Sequence, residues 1–308
     1  MAWIATTRWI DSQVQTVNSA IDGFIENNEL LDTDSGTRYA NIRKYSYFTE
    51  TQNVIIEGKR IEYNAVEYAF DAIMPGEGPE EFRSQSYNLY ILIYFDGINI
   101  NYIINRNSDA KRILRRILGY SKMNEIIEND LAFSDDLLMW LVQKVFLEDS
   151  TFTFTNHDKT ERILSINSII GVRGETRDEN KLSAQGDTMM NLLSTLTFIL
   201  ESSYLKQLVI RLEYGIHENI EIRMNDKKVV SINKEAYVGV YEEMDENQVL
   251  CQLTLLTYLD IIPKLIQAFA IEKEEDLWNN EVKKNFFDIV QNKLMARLDE
   301  RKAAALRE

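Results

Sequence analysis

Hydrophobic and polar positions alternate with two different periods along this chain, and the elements follow from them. Trp9, Val14, Val17, Ala20, Ile21, Phe24 and Ile25 recur at three-and-four spacing and predict a helix over 8–30. Asp32-Thr33-Asp34-Ser35-Gly36 then reads as a loop. From about 42 to 74 the pattern turns strand-like. Asn53–Ile56 and Lys59–Tyr63 flank Glu57-Gly58 as a hairpin, while Ala65–Met74 reads equally as strand or helix. Pro75-Gly76-Glu77-Gly78-Pro79 is a loop. Tyr87–Phe95 and Ile98–Ile104 are rich in β-branched and aromatic residues. Asp96-Gly97 between them predicts a type I′ hairpin turn.

Ser108 predicts the cap of a helix to Leu118, which Gly119 ends. Ser134-Asp135-Asp136 starts another, carrying Leu137, Leu138, Trp140, Leu141, Val145 and Phe146. Strands are expected near 151–156, 162–173 and 181–185. A helix over 188–203 follows, capped by Asp187, with Met189, Leu192, Leu193, Leu196, Ile199 and Leu200 on its apolar face. Leu205–Tyr214, Ile220–Met224 and Val229–Ile232 read as strands, with Asn225-Asp226 as a turn. A helical stretch from 245 to 269 contains Pro263, which should kink or split it. A last helix over 273–303 carries Trp278, Val282, Phe286, Ile289, Val290, Leu294 and Leu298.

Hairpin-linked strands grouped apart from helices predict an α+β fold with antiparallel sheets. A soft boundary near 148–160 divides the chain into similar halves, 1–150 and 151–308, the second ending in the long helix. It lacks a Pro/Gly linker, so the halves should pack tightly.

Composition narrows function by exclusion. The 308 residues hold 34 Lys+Arg and 49 Asp+Glu, a net charge of -15, which disfavours a generally basic nucleic-acid surface or docking on anionic membranes. The single cysteine, Cys251, forms no intrachain disulfide, sits in an apolar helix as inert core, and points to a reducing, cytoplasmic setting. No signal peptide and no run of about 18 apolar residues is visible. No GxGxxG or P-loop pattern occurs, so no nucleotide cofactor is expected; no zinc-spaced Cys/His cluster occurs, so no metal centre is expected. The two histidines, His157 and His217, lie near no nucleophile motif and read as ordinary polar positions.

Three features remain as candidate chemistry. Residues 106–122 hold six bases, Arg106, Lys111, Arg112, Arg115, Arg116 and Lys122, against one acid, Asp109. At 100° per residue Lys111, Arg112, Arg115 and Arg116 share one side, opposite Ile113, Leu114, Ile117 and Leu118. Such a face would hold an acidic partner or phosphates; the plainer reading is a solvated helix paired with the chain's own carboxylates. Glu175, Asp178, Glu179 and Lys181 have the residue content of a divalent-metal nuclease, although a charged hairpin loop looks the same. Glu57-Gly58-Lys59 and Glu221-Ile222-Arg223 show similar spacing, as chance allows in so acidic a chain.

The third is the C-terminal stripe. Trp278, Val282, Phe286, Ile289 and Leu294 could pack within the chain or against a second copy. The reading expected from these features is a cytosolic, non-catalytic interaction protein: a subunit, regulator or inhibitor, of the kind met in phage–bacterium conflict. A metal-dependent nuclease or hydrolase and a nucleic-acid module using 106–122 stand as alternatives.

Overall fold

The fold is α+β, built on antiparallel strands and ending in a long helix. The computed structural model describes residues 3–27, 30, 36–129, 131, 133–155, 160–176, 181–186 and 193–305. Contacts group them into two compact units, neither continuous in sequence. One comprises Ile4–Asp130 with Met244–Leu255. The other comprises Met1–Trp3, Leu131–Glu243 and Leu256–Glu308.

In the first unit, apart from Trp3, the chain runs β1 (Trp3–Asp11), α1 (Val17–Glu26), β2 (Arg38–Ser46), β3 (Gln52–Ile56), β4 (Lys59–Ile73), β5 (Ser84–Phe95), β6 (Ile100–Ile104), α2 (Ala110–Leu118) and β7 (Ile126–Glu128). The sheet order is β1-β6-β5-β4-β2, with β3 on β4 and β7 on β1. The predicted helix over 8–30 is therefore a strand followed by a helix. Trp9 belongs to β1, facing Tyr102 of β6, and Thr16 caps α1 by accepting from the Ser19 amide. Only Val17, Ala20 and Phe24 of the expected stripe are fully buried helix positions.

The ambiguous stretch 65–74 lies almost wholly in β4. Its apolar run is nearly continuous because both faces of the sheet are covered. Val66, Tyr68 and Phe70 join the core beneath α1 and α2, with Leu89, Ile91 and Ile93 of β5 beside them. On the opposite face Tyr63 and Tyr90 meet residues 251 and 252 of the returning segment. Gln252 donates to the Tyr63 hydroxyl at 3.1 Å, and the Tyr90 hydroxyl donates to the Cys251 Sγ at 3.5 Å.

The turns exchange roles. Glu57 (φ 50°) and Gly58 (φ 74°) both lie in the left-handed region and make the type I′ turn, so β3 and β4 pair without a gap. Asp96-Gly97 instead opens a four-residue link, where the Asp96 carboxylate accepts from the Ile98 and Asn99 amides and only Gly97 has positive φ. The Asp side chain replaces the backbone geometry that a two-residue turn would need.

In the second unit the elements are α3 (Asp135–Phe146), β8 (Thr151–Thr155), β9 (Glu161–Thr176), β10 (Lys181–Gln185), α4 (Leu193–Glu201), β11 (Ser202–Tyr214), β12 (His217–Asn225), β13 (Val230–Asn233), β14 (Val238–Gly239), α5 (Glu246–Leu256), α6 (Ile262–Glu274) and α7 (Asn280–Ala305). All but Glu246–Leu255 of α5 belong to this unit. Its strands run β10-β9-β11-β12-β13, with β8 on β9 and β14 on β12. Asp187, Met189 and Leu192, expected at the start of the helix over 188–203, lie outside the described residues.

Pro263 does not split its helix. Thr257–Ile261 forms a π turn, in which the Ile262 amide donates to the Thr257 carbonyl five residues back, and α5 and α6 run on through it. Proline has no amide hydrogen and its ring crowds the carbonyl four residues earlier; the wider turn relieves that crowding. The run Glu246–Glu274 is long and apolar enough to cross a bilayer, and 83% of its most apolar window is buried inside the protein.

Candidate functional site

The basic segment forms α2 much as its pattern predicts. Ala110, Ile113, Leu114 and Ile117 are buried, and Gly119 closes the helix at φ 72°. The cap differs, because Asp109 rather than Ser108 precedes the first turn. Asp109 accepts from Arg106, whose guanidinium also lies 4.9 Å from the Tyr87 ring centre. Its carboxylate holds Arg106 still more firmly protonated.

Half of the six cations serve the protein's own structure. Besides Arg106, Arg115 donates to the Ser121 carbonyl at 2.7 Å, which ties down the helix end. Arg116 donates to the Tyr39 hydroxyl at 2.6 Å. Arg112 and Lys122 are exposed and Lys111 is half-buried, and none of the three makes an ion pair among the described residues. Beside them Met123 is 62% exposed.

Beneath α2 is a cavity of about 140 Å³. Strand period and register explain its walls. Phe70, Ala72 and Met74 share one face of β4 and its end. Cross-strand pairing sets Tyr87 opposite Phe70 and Tyr39 opposite Ala72. Phe70 and Tyr87 stack with ring centres 4.8 Å apart and planes 7° from parallel, and Tyr39 meets Phe70 edge-on at 5.6 Å. Ala72 is the short side chain among these rings, and the space it leaves is the cavity. Ile113 and Ile117 line it from α2, with Arg112 and Arg116, and Leu30 and Thr37 also line it among the described residues.

The nuclease-like residues come together less fully. Glu175 accepts from the Tyr204 hydroxyl at 2.6 Å and pairs with Lys206 at 2.5 Å. Lys181 stands opposite Glu175 in the β9–β10 register, but its side chain lies outside the described residues, as do Asp178, Glu179 and His157. Glu57 sits in the β3–β4 turn. Glu221 is buried, accepting from Arg211 at 2.8 Å and Asn233 at 2.7 Å. Among the described residues, no three His, Cys, Asp or Glu side chains converge as metal ligands would.

Of the C-terminal stripe, Trp278 and Phe286 are buried inside the second unit. The Trp278 Nε1 donates to Asp136 at 3.0 Å, and Phe286 meets Phe146 edge-on at 5.6 Å. Val282 and Leu294 are half-buried and Ile289 is 43% exposed.

Sequence reasoning overlooked a buried charged cluster. Asp260 and Lys264 pair at 2.7 Å, and the Tyr214 hydroxyl donates to Asp260 at 2.8 Å while accepting from Lys264 at 2.7 Å. Arg162 lies 3.7 Å from Asp260. Opposite charges four residues apart, inside the most apolar helix and flanking its proline, were the available signal. Nearby His217 is buried, not a polar surface position: its Nδ1 meets the Tyr237 hydroxyl at 2.7 Å. Burial, with Arg162 adding repulsion, pushes its pKa down to about 4.

No protein-family model matches the chain, and no curated protein matches it in sequence.

Proposed function

We propose that the chain is a non-catalytic interaction protein of the cytoplasm that engages an acidic partner protein through the outer face of α2. The observation that carries this reading is the division of labour among the six cations. Arg106, Arg115 and Arg116 are held by Asp109, Ser121 and Tyr39, whereas Arg112 and Lys122 are presented to solvent. They stand out as positive charge on a chain of net charge -15, which repels other acidic surfaces at long range and favours them at this face. Exposed Met123, next to Lys122 in the chain, supplies an adaptable apolar contact.

The test is capture from the native host, with the captured protein identified and its binding repeated with purified components. A 1:1 or higher-order complex should form, weaken as salt rises, and lose at least tenfold in affinity on Lys111→Glu with Lys122→Glu. Capture that disappears on nuclease treatment transfers the face to nucleic acid. Affinity unchanged by both substitutions ends the reading.

A further inference from the structure

The cavity beneath α2 has a chemistry of its own, apart from the helix's outer face. Its volume, about 140 Å³, is close to the ~150 Å³ of an engineered apolar cavity that takes up benzene. One six-membered ring fits such a space. The walls favour a ring as well. The stacked Phe70–Tyr87 pair and the edge-on Tyr39 offer aromatic edges and faces at van der Waals range.

Two arginines are also among the residues that line the space. Arg112 and Arg116 stand one helical turn apart, next to the isoleucines that line the cavity. The Arg116 guanidinium donates to the Tyr39 hydroxyl at 2.6 Å, so it is positioned before anything binds, and Arg112 is the more exposed of the two. An apolar ring pocket with two arginines in its lining complements a ring bearing one anionic group.

From this geometry we infer that the cavity is a binding site for a compact aromatic anion: a single ring carrying a carboxylate or a phosphate. The ring takes the space left by Ala72, and the anionic group meets Arg112 and Arg116. The inference goes beyond the partner reading; the two share Arg112, whereas Lys111 and Lys122 lie outside the cavity lining and keep the two separable.

Calorimetric titration of the full chain tests it with four probes. Benzoate combines ring and charge, benzyl alcohol supplies the ring alone, acetate the charge alone, and decanoate a charged chain. Phenyl phosphate against benzoate then separates the two anionic groups. Benzoate or phenyl phosphate should bind at least tenfold more tightly than benzyl alcohol or acetate. Arg112→Gln should cost the aromatic anion about tenfold and leave benzyl alcohol within twofold. Ala72→Val, which fills the space, should abolish both, whereas Lys122→Gln should change neither.

Arg112 is exposed, so its variant keeps the test informative even where Ala72→Val unfolds the protein. Decanoate binding more tightly than both aromatic anions, aromatic anions binding no better than acetate, or affinity untouched by Arg112→Gln would each overturn the assignment. Loss of partner capture on Lys111→Glu with Lys122→Glu, with benzoate binding intact, separates the two sites.

Discussion

The Lys264 ammonium lies 2.7 Å from the Asp260 carboxylate, and both groups are almost fully withdrawn from water. Each charge offsets much of the other's burial. Removing one partner leaves the other poorly compensated, at a cost of about 3–5 kcal/mol for a buried pair. Asp260→Ala should therefore lower the unfolding free energy by that order in a urea titration. The double variant Asp260→Leu with Lys264→Met should recover most of the loss. A double variant as weak as the single one would show that the pair's worth lies in its specific hydrogen bonds with Tyr214.

His217 links stability to pH. Its folded pKa is about 4, below the ordinary 6.5, so the unfolded chain binds the proton more tightly. The stability it contributes is complete above pH 6.5 and falls as pH drops from 6.5 towards 4. At 1.36 kcal/mol per unit this is about 3 kcal/mol across the window. Urea unfolding at pH 8, 6 and 4.5 should show that slope, and His217→Gln should flatten it. Equal slopes in the two proteins would contradict the linkage.

Gly171 faces Val209 across β9 and β11, where an added methyl group would lie 2.8 Å from the valine Cγ2. Gly171→Ala should cost about 1–3 kcal/mol by overpacking. Val209→Ala in the same chain should relieve part of that, giving a coupling well outside additivity in a double-mutant cycle. Independent, additive effects would mean that the sheet yields elsewhere.

Cys251 should resist alkylation in the native protein. Burial pushes its thiol up to about 12, and the side chain is inaccessible. The thiolate is the reactive form, so iodoacetamide at pH 8 should label it only as fast as residues 244–255 open. Rapid labelling without denaturant would show that segment detaching from its sheet.

The residues differ in how openly they announce these arrangements. α2 was legible because Ile113, Leu114 and Ile117, all buried, and a terminal glycine obey one local period, although Leu118 of the same expected face is only half-buried. The hairpin of β3 and β4 was legible for the same reason. The strand at Trp3–Asp11 was not, since Trp9 fits a helical stripe with Val17 and Phe24 equally well, and only its pairing with Tyr102 decides against it. The cavity was illegible for a related reason. Phe70, Ala72, Tyr87 and Tyr39 come together by strand register across separate segments, and no spacing along one segment encodes that. Gln252 and Cys251 read as helix positions, with nothing local to say which sheet they would cover.

That return of residues 244–255 has a consequence for the order in which the protein can be made. Tyr90 and Cys251 are 161 positions apart. At ~5–20 residues per second a ribosome needs roughly 10–30 s between them. Through that interval the face of the sheet holding Tyr63 and Tyr90 is without its cover, although the other face has already received α1 and α2. The first unit is therefore begun first and closed late. A fragment ending at residue 130 lacks the piece that completes it, and supplying residues 244–255 in trans should be what restores it.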